Sequence, residues 1–589
     1  MGRKQLPIFF TFSFAMLRSN PSSAIFEKNL CALSAVGEED LVIRLKTSQT
    51  RAPLEIFKSK SGLLNLRLTE WNRTTVHDKE YISIILKKVE TIPKKRKAFV
   101  LSGVGLGYEL AAILTKFNNL EKIFAYERYP EILRFALSLR DYSKEILTKK
   151  ITFLLGTDMI SRLSSSDIPT MILHPVLGHI YEEEHLWWEK HRKIPSTHTV
   201  GLINSQGLLA RDIIYTLLNM GIMAYPIDLL HLSEEEISYQ IKKISPHFVM
   251  TINYVKGLPE ICYRLGIPCV IWEIDPTIEI LSPSSVGPKG LQDNVLLYTY
   301  RLSRVEYFKN LGFSHVSFLP LGTNPEKYHP IDIDALLMER YGADVSYVGS
   351  SMYDQGKWGI KKAFKLLEQH GYPRQLEKLL FQMVRRQMRN IDRFVLPNLL
   401  EMILSRFECP RFFKDEKGRI VDIVGCLSEE IASVRRFQAI NTLSGMARKK
   451  TIRVWGDEGW KEGLDPAIIY SGPAGHFHEV PIIYNASSIN LDINRIYQKD
   501  IVPLRVFDIL ACEAFVLADD SRELGRFFKK GYEIVSYRKL SQIPEICSYY
   551  LRHERERREI AKQGRERVLR EHTLERRLLA IIHDLEIRK

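Results

Sequence analysis

Cysteine is scarce in this sequence and shows no paired spacing. The 589 residues include seven cysteines, an odd number, and no two of them form a C-x2-C pair. A disulfide framework needs denser cysteines, and a zinc site needs Cys or His ligands at fixed spacing. We therefore expect a reducing compartment, the cytoplasm, and no bound metal.

Long hydrophobic runs are also absent. The apolar stretch at residues 8–17 follows Arg3 and Lys4 and imitates a signal peptide only weakly. A membrane-spanning helix needs about 20 apolar residues, and no later stretch approaches that length. We therefore expect a cytoplasmic protein, and a peripheral association with the inner membrane surface stays open.

Acidic residues are outnumbered by basic ones. The formal net charge is +14 and the sequence pI is about 9.2. Such a protein suits acidic partners, including nucleotide phosphates, anionic lipid or nucleic acid. Because the excess is spread along the chain, no specific nucleic-acid partner is expected. The length and the 45% hydrophobic content predict three or four packed domains.

The first segment, residues 1–92, is predicted to be a β-rich lead-in. Residues 41–45 (LVIRL) belong to an alternating run, which favours a strand. A later pattern at residues 78–89 favours an amphipathic helix, and residues 93–97 form a basic linker.

The next segment, residues 93–198, is predicted to be a Rossmann-like domain. A strand runs through Gly103, Gly105 and Gly107 into a helix, and a second strand ends at Glu127. Glycines allow close approach of backbone to a ligand, and the carboxylate could bind ribose hydroxyls. The pattern resembles S-adenosylmethionine-dependent methyltransferases and the core of the motility accessory factor family. The alternative is a Rossmann-like scaffold without a cofactor.

Residues 199–330 alternate strands and helices, which predicts a parallel sheet with crossover helices. Ligands of such sheets lie beyond the carboxyl ends of the strands. Asp275 follows one predicted strand and is the candidate carboxylate for the acceptor, either as base or as hydrogen-bond anchor. The alternative is that Asp275 caps the next turn.

A linker punctuated by Pro and Gly, residues 319–330, precedes the last segment, residues 331–589. There a strand enters a turn of small residues, Gly349 and Ser350, which could admit a phosphate or a sugar. Residues 356–450 are predicted to be mainly helical.

The most informative stretch lies at residues 489–520. An apolar strand ends in polar residues, and a helix is predicted to begin at Pro503. Arg505 falls in its first turn, where free backbone N–H groups favour a diphosphate, and Asp508 lies three residues on. The alternative is an ordinary surface pair.

These residues carry a resemblance. The run RVFDILAC around Arg505, the preceding YNASSINL and the tail from residue 560 to His572 and Thr573 resemble CgeB-like glycosyltransferases, which have two Rossmann domains in the GT-B arrangement. In retaining relatives a Glu-x7-Glu motif holds the donor. Asp500 and Asp508 have that spacing here, which implies that Asp508 contacts the ribose and Asp500 the sugar.

The predicted fold is therefore α/β, with two Rossmann-like halves and an additional N-terminal Rossmann-like domain. The predicted function is metal-independent transfer of a sugar from a nucleotide-sugar to a glycan, protein or other surface-polymer acceptor, with no cofactor required. Two alternatives stay open. One is an S-adenosylmethionine-dependent methyltransferase acting through residues 93–198, and the other is an inactive scaffold for glycan modification.

Overall fold

The structure is a computed structural model that describes residues 21–48, 54–58, 64–68, 73–74, 86–90, 98–117, 121–163, 171–190, 200–205, 207, 209–275, 289–416, 420–475 and 478–586. The chain divides into two compact units, Met1–Ile271 with Pro288–Leu296 and Trp272–Gly287 with Leu297–Lys589. The predicted α/β class is confirmed, with three sheets that contain parallel strands. Among the described residues, no helix has both the length and the apolar character to cross a membrane.

The lead-in is more helical than predicted. Its elements are α1 (Ser23–Ala35), α2 (Glu39–Thr47), β1 (Leu54–Lys58), β2 (Leu64–Leu68), β3 (Arg73–Thr74) and α3 (residues 86–90). The strands form an antiparallel sheet in the order β1-β2-β3. The predicted helix at 78–89 lies mostly outside the described residues.

The strand predicted at residues 41–45 is wrong, because this run lies inside α2. Leu41 and Leu45 are one helical turn apart and are both buried, whereas Ile43 between them is exposed. Two acidic residues in the first turn and two basic residues in the last turn also match the helix dipole.

The first parallel sheet confirms the Rossmann-like pattern. Its segment contains β4 (Ala98–Ser102), α4 (Tyr108–Lys116), β5 (Lys122–Glu127), α5 (Pro130–Leu139), α6 (Ser143–Leu147), β6 (Ile151–Leu155), α7 (Asp158–Leu163), β7 (Met171–Leu173), α8 (Leu177–Ile180) and α9 (Glu182–Lys190). The strand order is β6-β5-β4-β7, with parallel pairing throughout. This is the 3-2-1-4 order that begins a doubly wound fold.

The second sheet has six strands in the order β13-β12-β11-β10-β8-β9. The segment contains β8 (Val200–Asn204), α10 (Ala210–Asn219), β9 (Met223–Ile227), α11 (Glu234–Ile244), β10 (Phe248–Ile252), α12 (Leu258–Leu265), β11 (Cys269–Glu273), α13 (Lys289–Asp293), β12 (Val295–Thr299), α14 (Val305–Asn310) and β13 (His315–Phe318). β8 pairs in parallel with both β9 and β10.

The third sheet also has six strands, and a helical insertion follows its first strand. The segment contains α15 (Ala335–Tyr341), β14 (Ala343–Val348), α16 (Tyr353–Gln369), α17 (Arg374–Arg389), α18 (Leu396–Arg406), β15 (Phe412–Lys414), β16 (Ile420–Asp422), α19 (Ile423–Asn441), α20 (Ser444–Ala447), β17 (Ile452–Trp455), β18 (Ile469–Tyr470), α21 (Glu479–Ala486), β19 (Ser487–Leu491), α22 (Leu504–Ala511), β20 (Val516–Asp519), α23 (Leu524–Phe527) and β21 (Val535–Tyr537). The helical character predicted for residues 356–450 is confirmed.

The order of this sheet is β18-β17-β14-β19-β20-β21, and all neighbours pair in parallel. In chain order this is 3-2-1-4-5-6, the arrangement of dinucleotide-binding doubly wound sheets. Buried aliphatic side chains from β14, β17 and β19 form its core with helices α16 to α19.

Within the described residues from 543 to 586 the chain forms three helices, α24 (Ile543–Arg552), α25 (Glu554–Glu571) and α26 (Leu574–Glu586). The predicted break near His572 and Thr573 is confirmed. At this break the backbone N–H of Thr323 donates to the carbonyl of His572 at 3.1 Å. Arg577 of α26 donates to the carbonyl of Pro320 at 2.9 Å. The tail therefore packs against the predicted linker.

Candidate active site

The candidate site lies where the third sheet reverses its strand order. The chain adds β17 and β18 on one side of β14, and then β19 on the other. Ligands of open α/β sheets bind beyond the carboxyl ends of the strands at such a point. Gly349 and Ser350 follow β14, and Asp492 follows β19. The candidate site therefore includes these two loops, which follow neighbouring parallel strands.

Gly349 is held closely by its surroundings. Its N–H donates to the carbonyl of Trp455, and its carbonyl accepts from Nε1 of Trp460, both at 2.9 Å. A Cβ atom here would lie 2.7 Å from the Tyr347 hydroxyl and 3.0 Å from Nη2 of Arg505. The absence of a side chain therefore keeps the backbone and the Arg505 guanidinium adjacent.

Helix α22 begins where the sequence predicts, with Pro503 as its N-cap. Arg505 donates from Nη1 to Oδ1 of Asp492 at 2.8 Å, and its guanidinium lies over the ring of Tyr347 at 5.0 Å. Burial disfavours the charge, but Tyr347 and Asp492 outweigh it and raise the pKa of Arg505. Burial raises the pKa of Asp492, whose Oδ2 has no hydrogen-bond partner among the described residues.

Two further arginines of the site were missed by sequence reasoning. Arg436 lies on α19, is 6% exposed, and donates from Nη1 to the carbonyl of Ser350 at 2.6 Å. Burial lowers its pKa, and the positive charges of Arg505 and Arg495 lower it further. Its Nε has no hydrogen-bond partner within the described chain. The Arg436 guanidinium at the Ser350 carbonyl and the Arg505 guanidinium beside Gly349 thus bring two cations to adjacent residues of one loop, an arrangement that favours an anion.

Arg436 and Arg495 differ in how far the sequence pattern could have predicted a role for them in the site. Arg436 sits in the middle of a long helix, where no motif distinguishes it from its neighbour Arg435. That neighbour has another role, because its Nη1 pairs with Oδ2 of Asp519 at 2.5 Å. Arg495 was more accessible to prediction, since it directly follows the polar end of an apolar strand.

Asp508 lies on α22, three residues after Arg505. It is buried, and its Oδ1 accepts a hydrogen bond from the Thr323 hydroxyl at 2.6 Å. Arg505 and Asp508 were predicted to act together, but Arg505 donates a hydrogen bond to Asp492 whereas Asp508 accepts one from Thr323. The predicted contact of Asp508 with a ribose stays a prediction.

The Asp500 carboxylate accepts hydrogen bonds from two side chains. Arg301 donates to both of its carboxylate oxygens, from Nε at 2.9 Å and from Nη2 at 2.6 Å, and the Ser303 hydroxyl donates at 2.7 Å. Burial favours the protonated form, but these contacts outweigh it and lower the pKa of Asp500. Such a carboxylate is ionised at neutral pH and is a weak base.

Asp275 follows β11 and is exposed. Burial lowers the pKa of Arg495, but interactions with the Tyr497 side chain and with the Glu429 and Asp275 carboxylates outweigh it and raise the pKa. The predicted role of Asp275 towards the acceptor stays a prediction.

The predicted nucleotide loop of the first sheet is occupied by side chains of the protein. The Glu127 carboxylate is fully buried and accepts from the N–H groups of Val104 at 3.0 Å and Gly105 at 3.2 Å. It also accepts from the Tyr181 hydroxyl. The amides that could bind a ligand are already used.

The glycines of this loop are required by close packing. Gly103, Gly105 and Gly107 all have positive φ. A Cβ on Gly103 would lie 2.8 Å from the Cβ of His174, and one on Gly107 would lie 2.7 Å from the Tyr142 hydroxyl. S-adenosylmethionine gains no support from this geometry, and a nucleotide role for the loop stays a prediction.

Residues 435–583 match the family described as glycosyl transferase-like. This segment is about a quarter of the chain and contains Arg436, Asp500, Arg505 and Asp508. No curated protein matches the chain by sequence. The similarity to this family therefore concerns the C-terminal part of the chain.

Solved structures give distant similarities. Anabaena HepE in complex with UDP and glucose has 9% identity and a TM-score of 0.38 over 66% of this chain and 99% of its own. Sucrose-phosphate synthase from Thermosynechococcus elongatus has 12% identity and a TM-score of 0.39 over 67% of this chain and 100% of its own. The MAf glycosyltransferase from Magnetospirillum magneticum AMB-1 has 14% identity and a TM-score of 0.20 over 52% and 58%. Scores of this size carry no argument, and the predicted likeness of the first Rossmann-like domain to that family is not confirmed.

Proposed function

We propose that this protein transfers a sugar from a nucleotide-sugar donor to an acceptor hydroxyl. The donor diphosphate would lie between the Ser350 loop and the N-terminus of α22. Arg436 carries the proposal, because it is a buried cation directed at this loop and forms no ion pair with a described residue. The glycosyl transferase-like match of residues 435–583 and the 3-2-1-4-5-6 sheet support the same location.

The arginines suit the charge that develops during transfer. As the bond from the anomeric carbon to the phosphate oxygen breaks, negative charge grows on the leaving diphosphate. Arg436, Arg495 and Arg505 would stabilise that charge from fixed positions. The backbone N–H groups at the start of α22 add to this field.

The acceptor oxygen forms the new bond to the anomeric carbon and loses a proton. Asp275, exposed beyond the carboxyl end of β11, is the carboxylate proposed to receive that proton or to anchor the acceptor. The lowered pKa of Asp500 makes it less suited as a base. We assign Asp500 to contact the donor sugar, held in place by Arg301.

Finer assignments belong to this proposal as well. The sequence resemblance supports membership of the CgeB-like group. It also supports metal independence and an acceptor that is a glycan, a protein or another surface polymer. A cytoplasmic location is supported by seven cysteines that are all free.

The test compares Arg436→Met with Arg448→Met, an exposed arginine outside the site that serves as the matched control. A panel of UDP-, GDP- and dTDP-sugars and the free diphosphates is titrated by calorimetry, and turnover is followed as released nucleoside diphosphate. Loss of a hydrogen bond to a charged group predicts about 10–150-fold weaker donor binding in Arg436→Met.

The control should bind the donor as wild type does. Unchanged donor affinity in a folded Arg436→Met protein would contradict the proposal. Tight donor binding without turnover on any acceptor would favour the inactive scaffold over the enzyme.

A further inference from the structure

Helix α17 carries a row of exposed basic side chains on its outer face. The five residues of this basic row are Arg374, Lys378, Arg385, Arg386 and Arg389. The opposite face is apolar and buried, with Leu376, Leu380 and Val384 in the core. The row is therefore the outward side of a well-packed amphipathic helix.

The basic row has no acidic counterpart in the described chain. None of its five members forms an ion pair with a described residue, whereas Lys362, Lys365 and Arg411 nearby are each paired with a carboxylate. The helix itself has one acidic residue, Glu377. From Arg374 to Arg389 the row spans about 22 Å at 1.5 Å per residue. It is a long, uncompensated positive surface that suits an extended anionic partner.

Exposed apolar side chains lie on two of the helices that pack against α17, namely α16 and α18. Trp358 of α16 is 59% exposed and Met402 of α18 is 70% exposed. Tryptophan favours the boundary between lipid head groups and water. Single-stranded nucleic acid is bound with aromatic stacking platforms. Every residue of α17 is described, and none of its exposed side chains is aromatic.

We propose that the basic row docks the protein on an anionic lipid surface, with Trp358 and Met402 on the flanking helices entering the head-group region. The partner is a membrane leaflet that carries acidic phospholipid. Each basic residue near such a surface contributes about fivefold to binding. The row lies outside the candidate active site, so this inference stands independently of the proposed sugar transfer.

The test measures sedimentation of the full chain with vesicles of phosphatidylcholine alone or with about 30% phosphatidylglycerol, at low and physiological salt. A variant of the basic row, called the stripe variant, combines Lys378→Glu, Arg385→Glu and Arg389→Glu. The matched control combines Arg555→Glu, Lys562→Glu and Arg576→Glu, three exposed residues of α25 and α26, and changes the net charge equally. Circular dichroism and urea unfolding confirm folding in both.

Wild type and control should bind only the acidic vesicles, and the stripe variant should bind them about 100-fold more weakly. Failure of the wild type to bind acidic vesicles would overturn the proposal. Equal losses in the stripe and control variants would also overturn it, because they would show a general charge effect. Stripe-dependent binding of homopolymer RNA without vesicle binding would assign the row to nucleic acid instead.

Discussion

Two parallel sheets of this chain each have a glycine-containing loop after their first strand. One loop contacts a carboxylate, and the other contacts guanidinium groups. Beyond β4, the Glu127 carboxylate accepts from the backbone amides of the glycine loop. Beyond β14, the Arg436 guanidinium donates to the Ser350 carbonyl, and Arg505 lies next to Gly349. The first loop is closed by an anion that belongs to the protein, whereas the second is lined with cations.

The comparison shows that the glycine motif and the site need not coincide. Residues 103–107 carry the clearer glycine pattern, but their positive-φ turns support packing against His174 and Tyr142. The third sheet has a single glycine at the corresponding loop. Its ability to receive a diphosphate depends on side chains from other elements, which agrees with the rule that function belongs to sites rather than folds.

The largest effect is expected from Arg505→Ala. This change leaves the buried Asp492 carboxylate without its cation, and breaking a buried ion pair costs about 3–5 kcal/mol. Urea unfolding should show that loss, together with loss of donor binding. The double variant Arg505→Ala with Asp492→Asn should regain part of the stability but none of the affinity. A stability equal to wild type in the single variant would show that the pair is not coupled.

Glu127→Ala tests the glycine loop of residues 103–107, where we expect a loss of stability without a change in ligand binding. The carboxylate accepts from four backbone N–H groups and the Tyr181 hydroxyl, so its removal leaves buried donors unsatisfied. Unfolding free energy should fall by about 2–3 kcal/mol, while donor affinity stays unchanged. A variant with normal stability and impaired nucleotide binding would restore the nucleotide role of this loop.

Gly349→Ala tests the close approach in the third sheet. The added Cβ meets the Tyr347 hydroxyl at 2.7 Å, so the change should cost about 1–3 kcal/mol and weaken donor binding. Gly445→Ala is the matched control, because its Cβ meets nothing within 4 Å. The control should leave donor affinity unaltered and hold or slightly raise stability. Equal behaviour of the two variants would argue against a crowded Gly349.

Asp500→Asn should have the smallest effect, and it should depend on pH. Burial opposes ionisation, but Arg301 and Ser303 bring the pKa of Asp500 below its ordinary value of 3.8. The ionised carboxylate therefore stabilises the fold above about pH 4, and this contribution is lost as pH falls through the folded-state pKa. We expect a loss of about 1 kcal/mol at pH 7 and a smaller one at pH 3, measured by urea unfolding. A difference that grows on acidification would contradict the assigned direction.

Much of the fold follows from local pattern. The strand that ends at Glu127 and the start of α22 at Pro503 agree with the sequence, because strand periodicity and helix-start chemistry are local. The carboxylate of Glu236, by contrast, binds Arg44. That partner lies 192 residues away. Non-local pairing of this kind has no local trace.

The candidate site shows the same limit. Gly349, Ser350 and Arg505 were predicted because strand ends and helix starts are visible in the sequence. Arg436 was not, because the long insertion that follows β14 brings α19 back to the Ser350 loop only in the folded chain. The buried contact of Asp508 with Thr323 was equally invisible, since it joins α22 to the predicted linker.

The most direct test is the calorimetric affinity of the tightest nucleoside diphosphate from the donor panel for three forms of the full chain: wild type, Arg436→Met and Glu127→Gln. The account predicts about 10–150-fold weaker binding to Arg436→Met and wild-type binding to Glu127→Gln. Wild-type affinity in Arg436→Met combined with lost binding in Glu127→Gln would contradict it and would place the nucleotide in the first sheet.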